Sequence, residues 1–381
     1  MPTVAFPFIE VSIDTSGLAA TAQRSPGVIA VVGSALAGGT NRGEAEPNIP
    51  HVVATLDDAR TLFGSDGTTL TPTPLSRSLE LAMNQSPGPS RIYGVKVDGN
   101  AVAAALSSLE AADDVTFVSL AETTGAGPLG ALKTHVENMS SQGNRRIGVA
   151  MVDPDVEKSA TYAADVIAAA AGLKSDSSRM IIVAARGATT DAATATMAAI
   201  AGFRPHISTV LKRVRGVRIP LEQQYSPSEI GALAEANLLP LIDPALVPGE
   251  SLHMAEGRCF TTDTNLLYID TVRTLDDIEF RLKAGLIGLV GDARITKAGL
   301  TRLRTRVEGI LGPLQRQAVI DGFSVDIPVL DILSLPPSSW NASDTAIVTE
   351  ARSERAVDLI VTVVYGPAVH RLRVELKPVF A

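Results

Sequence analysis

Near the start of the chain apolar residues alternate in two registers, Val4, Phe6 and Phe8 followed by Ile9, Val11 and Ile13. A period of two in β-branched and aromatic residues predicts an extended strand over 3–13. Pro7, which has no N–H to donate, restricts that strand to a sheet edge or an arm. Residues 25–32 predict a buried strand, after which the chain enters a Gly-rich loop over 33–43. Strand and helix signals alternate over 51–83, Ser86-Pro87-Gly88-Pro89 breaks them, and a strand follows at 91–97. From 101 onward the alternation is regular: helix 101–112, strand 115–120, helix 128–142, strand 147–152, helix 158–173, strand 180–185 and helix 191–201. Strands separated by helices of ten or so residues form βαβ units, so a largely parallel sheet covered on both faces is expected.

The C-terminal third has a different rhythm. Thr274-Leu-Asp-Asp277 has the form of a capping box, and Leu275, Ile278, Leu282, Leu286 and Leu289 recur behind it at helical spacing. A second helix carries Leu300, Leu303, Val307, Ile310 and Leu314, with a kink expected at Gly312-Pro313. Pro336-Pro337 marks a loop, strand signal returns at 359–365, and Leu372, Val374 and Leu376 then alternate with Arg371, Arg373, Glu375 and Lys377. The fold class read from this order is α/β and multi-domain. It comprises a three-layer, mainly parallel α/β body, a C-terminal α+β region, and extended N- and C-terminal strand arms.

Composition sharpens the picture. The 381 residues suffice for two or three units with sizeable cores. Hydrophobic residues are 45 % of the chain but aromatics only 4 %, so the core must be built from Ala, Val, Leu and Ile. The formal charge of −8 opposes a nucleic-acid partner. Cys259, the single cysteine, excludes an internal disulfide framework, a Cys-rich zinc site and a CxxC redox pair. The first basic residue is Arg24, after an apolar stretch interrupted by Pro7 and Glu10, unlike a secretory signal. The apolar run between Asp191 and Arg204 falls short of the roughly 20 residues that span a bilayer. A soluble protein folded in a cytoplasm, without membrane insertion, is expected.

One enzymatic motif stands out. Gly125-Ala-Gly127-Pro-Leu-Gly130 is a formal GxGxxG between a predicted strand and a predicted helix, with Asp153 at the end of the next strand as a ribose-binding acid. It supports an alternative reading as an NAD(P)-binding enzyme. Against it, residues 121–124 intervene before the first glycine, and no acid–base constellation follows. His51, His135, His206, His253 and His370 show no HxH or HxxxH spacing, so no metal site is expected. Cys259 lies beside Arg258 but reads as a buried small side chain, and Asp276, Asp277 and Glu279 read as helix-start carboxylates. Two features fit a bland reading less well. From 294 to 316 the chain carries Arg294, Lys297, Arg302, Arg304, Arg306 and Arg316 against Glu308 alone, which is either a solvated helix face or a docking surface for an acidic protein. The two terminal strands either pair within their own sheet or add to another copy.

The order of these features resembles the contractile tail sheath family of myophages, R-type bacteriocins and related injection systems. The resemblance runs through Ser25-Pro-Gly-Val-Ile-Ala-Val-Val-Gly33, Asp57-Asp-Ala-Arg-Thr-Leu-Phe-Gly64, Arg91-Ile-Tyr-Gly-Val-Lys-Val97 and Arg146-Ile-Gly-Val-Ala-Met-Val-Asp-Pro154. It continues in Gly216-Val-Arg-Ile-Pro-Leu-Glu222 and is most specific in Tyr268-Ile-Asp-Thr-Val-Arg-Thr-Leu-Asp-Asp-Ile-Glu279. It ends in Tyr365-Gly-Pro-Ala368 and the strand 371–376. Where many members have Trp-Gly-x-Arg-Thr, this chain has Glu256-Gly-Arg-Cys-Phe-Thr-Thr262.

The resemblance implies a non-enzymatic structural subunit without cofactors, polymerised as stacked hexameric rings around an inner tail tube. Baseplate and tail terminator proteins are the further partners, and the location is a virion tail sheath assembled in the host bacterial cytoplasm. It implies an N-terminal linking arm at 1–24, a small outer α/β domain at 25–98, an α/β middle domain at 99–260, a tube-facing α+β domain at 261–368 and a C-terminal arm at 369–381. Val4, Phe6, Phe8, Val11, Leu372, Val374 and Leu376 would then carry intersubunit strand pairing. Lys297, Arg302, Arg304 and Arg306 would face the tube.

Overall fold

The computed structural model describes residues 27–370 apart from 66–68, 248 and 250. The arm residues Val4, Phe6, Phe8, Val11, Leu372, Val374 and Leu376 lie outside the described residues. Those described form two compact units, one running from 27 to 277 and taking in 367–370, the other Ile278–Gly366.

The first unit begins with β1 (Val28–Gly33), the short pair β2 (Leu36–Ala37) and β3 (Thr40–Asn41), β4 (Pro50–Val52), α1 (Leu56–Phe63), α2 (Pro74–Met83) and β5 (Arg91–Lys96). Then come α3 (Val102–Ser108), β6 (Phe117–Leu120), α4 (Ala126–Ser141), β7 (Ile147–Met151), α5 (Tyr162–Ala170), β8 (Met180–Ala184) and α6 (Ala192–Gly202). The unit continues through β9 (Arg213–Val214), α7 (Pro227–Glu235), β10 (Leu239–Ile242) and β11 (Leu252–Met254). Nine strands join in the order β4-β5-β1-β6-β7-β8-β10-β11-β9. From β5 to β10 every pairing is parallel; β4, β11 and β9 are antiparallel additions at the edges.

Both faces of the sheet are covered, as the continuous apolar runs of its strands require. In β1, Ile29 and Val31 enter one core with α1, α2 and α6, whereas Val28, Ala30 and Val32 enter the other with α3, α4, α5 and α7. Every residue of α6 from Ala192 to Ala201 is buried, as a helix that is apolar all round demands. The division expected at residue 98 falls inside this sheet, because β1 pairs with β5 on one side and β6 on the other. Helical and strand periods report which residues are apolar but carry no information on strand order, so the alternation before and after residue 98 read as two units.

Loops are tied to the sheet by buried guanidinium groups. The Arg186 side chain is 1 % exposed, lies between the rings of Tyr162 and Tyr225 (4.3 and 4.8 Å), and donates to Glu229 Oε1 (2.6 Å), the Gln223 carbonyl (3.0 Å) and the Gln224 carbonyl (3.1 Å). Arg146, fully buried, donates to the carbonyls of Leu109 and Ala112 (2.8 Å each) and meets His135 Nε2 at 2.9 Å. Several hydrogen bonds to each guanidinium offset the cost of burying its charge.

The remaining elements are α8 (Ile269–Leu286), α9 (Lys297–Arg316), β12 (Gly322–Asp326), α10 (Pro328–Ser334), α11 (Ala342–Glu354) and β13 (Ile360–Val364). The boundary between the units falls inside α8, whose Ile269 and Val272 belong to a core of the first unit and whose Ile278 belongs to a core of the second. The capping box expected at Thr274 is not formed. The helix starts at Ile269, and the Thr274 hydroxyl, already within it, donates to the Asp270 carbonyl (2.6 Å). Asp276 is no cap either; it takes two hydrogen bonds from Arg179 (2.6 and 3.0 Å). Leu275 is exposed, so the apolar stripe begins at Ile278. Pro313 sits inside α9 without ending it.

Burial, and secondarily the Arg146 charge, push the His135 pKa from the ordinary 6.5 down to about 4. His135 is therefore neutral in the fold and charges first in the unfolded chain. Its stabilisation is complete above pH 6.5 and is lost as pH falls through 4, by up to about 3 kcal/mol. Urea unfolding at pH 7, 5.5 and 4 should show this decline and His135→Gln should flatten it; equal slopes for both proteins would contradict the assignment.

Candidate functional site

The glycine motif does not build a phosphate cradle. Gly125 is the N-cap of α4 with φ −67° and ψ 134°, and Gly127 and Gly130 lie inside the helix. A Cβ added at Gly127 or Gly130 would meet open space. A dinucleotide fingerprint uses its glycines for a tight turn, close approach of the pyrophosphate and close helix–strand packing, and these three do none of this. The ends of β1 and β6, where a doubly wound sheet opens for ligands, are filled by the chain itself. Ala121 packs against Gly33, and Asp191 Oδ2 accepts from the Ser78 hydroxyl (2.7 Å) and the Glu122 N–H (3.1 Å). Asp153 is exposed, and its Oδ1 accepts from the Asp155 N–H in a local turn.

The other candidate nucleophile and ligands are dispersed. Cys259 is fully buried, and burial pushes its thiol up to about 12, which removes it as a nucleophile at neutral pH. Among the described residues no three His, Cys, Asp or Glu side chains could together hold a metal ion, and no helix is long and apolar enough to cross a membrane.

Surfaces suited to assembly are better defined. β12 and β13 form an antiparallel pair, Gly322 opposite Val364 and Asp326 opposite Ile360, with no third strand among the described residues. Val361 and Val363 pack on the core of the second unit, while Ile360 (52 % exposed) and Val364 (54 %) face outward. A two-stranded sheet is marginal alone, and among the described residues no further strand pairs with its outer edges, where another strand could add. The strand signal at 359–365 was legible in the sequence; the outward apolar face was not, since it depends on which residues the core covers.

The basic segment is divided by the structure. Lys297 and Arg302 are exposed without an ion-pair partner among the described residues. Arg304 pairs with Glu308 (3.2 Å) on the same exposed face. Arg306 is half-buried, and its Nε donates to the Gly285 carbonyl (3.2 Å) in the last turn of α8, so it ties α8 to α9. Helical spacing puts Lys297 and Arg304 on one side of α9 and Arg302 and Arg306 on another. His370, which sequence alone marked only as a loop histidine, contacts Ser208 and the ring of Tyr268.

These elements, in this order and connectivity, define the fold of the sheath proteins of contractile systems. No family profile and no curated protein matches the sequence. Among solved structures, the chain superposes on the contracted sheath complex of the extracellular contractile injection system PVC with a TM-score of 0.69 at 12 % identity, over 99 % of this chain and 98 % of that one. It superposes on the contracted helical sheath of the anti-feeding prophage with a TM-score of 0.68 at 13 % identity, over 98 % and 99 %. The sheath tail protein of Desulfitobacterium hafniense gives 0.58 at 12 % identity, over 85 % and 93 %.

Because the two helical glycines approach nothing, Gly127→Ala and Gly130→Ala should each raise stability by about 0.5–1 kcal/mol through the lower backbone entropy of the unfolded chain. Thermal melting checks this; a lowered melting point, or fluorescence enhancement of reduced nicotinamide cofactor that either substitution abolishes, would revive the cofactor reading.

Proposed function

We propose that the chain is a structural, non-catalytic subunit of a contractile tail sheath, polymerising as stacked hexameric rings around an inner tube and contracting to drive that tube through a target envelope. The observation that carries this reading is the superposition over essentially the whole chain on sheaths of two contractile systems. The open β12–β13 pair supports it, because strand addition between copies that does not close on itself generates a helical filament. In this reading residues 3–13 and 369–377 are the arms. Val4, Phe6, Phe8 and Val11 of one copy, and Leu372, Val374 and Leu376 of another, supply the apolar faces of added strands.

Contraction is mechanical. The extended lattice is kinetically trapped at assembly, the baseplate releases the first ring, and further burial of surface between subunits supplies the free energy. Lys297 and, on the same side of α9, Arg304 in its pair with Glu308 face an acidic tube, Arg302 extends the basic surface from another side of the helix, and Arg306 ties α8 to α9. Baseplate and tail terminator proteins bound the lattice, which belongs to the tail of a virion or related injection machine assembled in a bacterial cytoplasm.

Deleting either arm should leave the melting temperature unchanged and abolish the striated tubules seen by negative-stain microscopy; tubules of normal yield from either truncation would refute the arm assignment. Lys297→Glu with Arg302→Glu should lower co-sedimentation with tube protein at least tenfold, since like charges replace complementary ones. Undiminished co-sedimentation would remove these two residues from the tube contact.

A further inference from the structure

We infer that His370 is a positioning residue: its imidazole sits in a socket on the first unit and fixes the point at which the C-terminal arm leaves the body. This rests on the arm reading above and names the part of that arm that is held.

The socket is built from three separate stretches of chain. The Ser208 hydroxyl meets His370 Nε2 at 2.8 Å, and the same oxygen accepts from the Val210 N–H (3.2 Å), which orients it. The Tyr268 ring meets the imidazole edge to face, with centroids 4.9 Å apart and planes at 80°. Gly257 forms the floor: a Cβ there would stand 3.9 Å from His370 Cε1 and only 2.9 Å from the Thr209 hydroxyl, so a side chain would crowd the site. These walls are themselves held. The Ile269 N–H donates to the Gly257 carbonyl (2.9 Å) and the Cys259 N–H to the Leu267 carbonyl (2.8 Å), which joins the Gly257 and Tyr268 stretches.

The segment leading into the socket is held by little else. Among the described residues no backbone hydrogen bond engages 366–370, Val369 is 80 % exposed, and a cavity of about 380 Å³ separates Pro367 and Ala368 from Asp270. One side chain thus pins an otherwise loosely packed stretch immediately before the residues whose alternation marks the arm. Serine can donate or accept, so its hydroxyl can meet Nε2 in either tautomer of the ring. The attachment directs load from the arm onto the wide sheet of the first unit.

The test compares full-length wild type with His370→Ala, His370→Gln, Ser208→Ala and a chain ending at residue 370. Trypsin cleavage after Arg371, followed by mass spectrometry of the intact chain, reads the anchor, because a protease needs several extended residues and a pinned residue 370 withholds them. His370→Ala should cleave about tenfold faster than wild type at an unchanged melting temperature and form fewer tubules. His370→Gln, which keeps a polar group at the Ser208 hydroxyl, and Ser208→Ala, which keeps the ring contact, should each fall between. Cleavage of His370→Ala at the wild-type rate overturns the anchor whatever happens to assembly. Normal tubules from the chain ending at residue 370 would instead overturn the C-terminal arm reading, and the two failures are distinguishable.

Discussion

A run of parallel strands from β5 to β10 has no face it can offer to water, and the first unit is organised around covering both. With aromatics at only 4 % of the chain, bulk must come from many close contacts of small and branched side chains rather than a few large ones. The alanine-rich α6, buried on every side, is one consequence. Gly94 is another, since a Cβ there would stand 2.6 Å from the Phe63 ring that packs over β5. Burying the sheet also buries the backbone groups of the loops at its ends. Arg146, Arg186 and Arg179 satisfy those loops or pair with carboxylates there, and their placement follows from the sheet rather than from any ligand.

The second unit is built on the opposite principle. Its β12–β13 pair packs one face on a modest core, leaves Ile360 and Val364 outward, and gains no third strand among the described residues. The first unit buries its sheet within its own chain; the second, among the described residues, keeps a two-stranded sheet with an outward apolar face.

The chemistry-bearing residues are taken up by the fold itself. Cys259 is sealed, His135 is held neutral beside Arg146, and the crevice at the ends of β1 and β6 is occupied by Asp191, Ser78 and Glu122. The exposed features among the described residues are instead strand edges, basic helix residues and the C-terminal stretch at His370.

Local pattern carried much of this. Continuous apolar runs located β1, β7 and β8, helical spacing located α9, and their order carried the resemblance to sheath proteins, because the period of apolar residues is set by backbone geometry alone. Four things were decided only in three dimensions. Strand order joined residues 25–98 to the central sheet. Contacts moved the start of α8 from Thr274 to Ile269, because what covers Ile269 and Val272 is distant in sequence. Arg306 proved to bridge α8 and α9, because its partner, the Gly285 carbonyl, lies across a helix pair. The glycines at 125, 127 and 130 lost their apparent meaning because a motif states which residues are small and not what approaches them. Periodicity determines which face of an element must be buried; only the folded chain determines what buries it, and that choice separates a structural residue from a surface one.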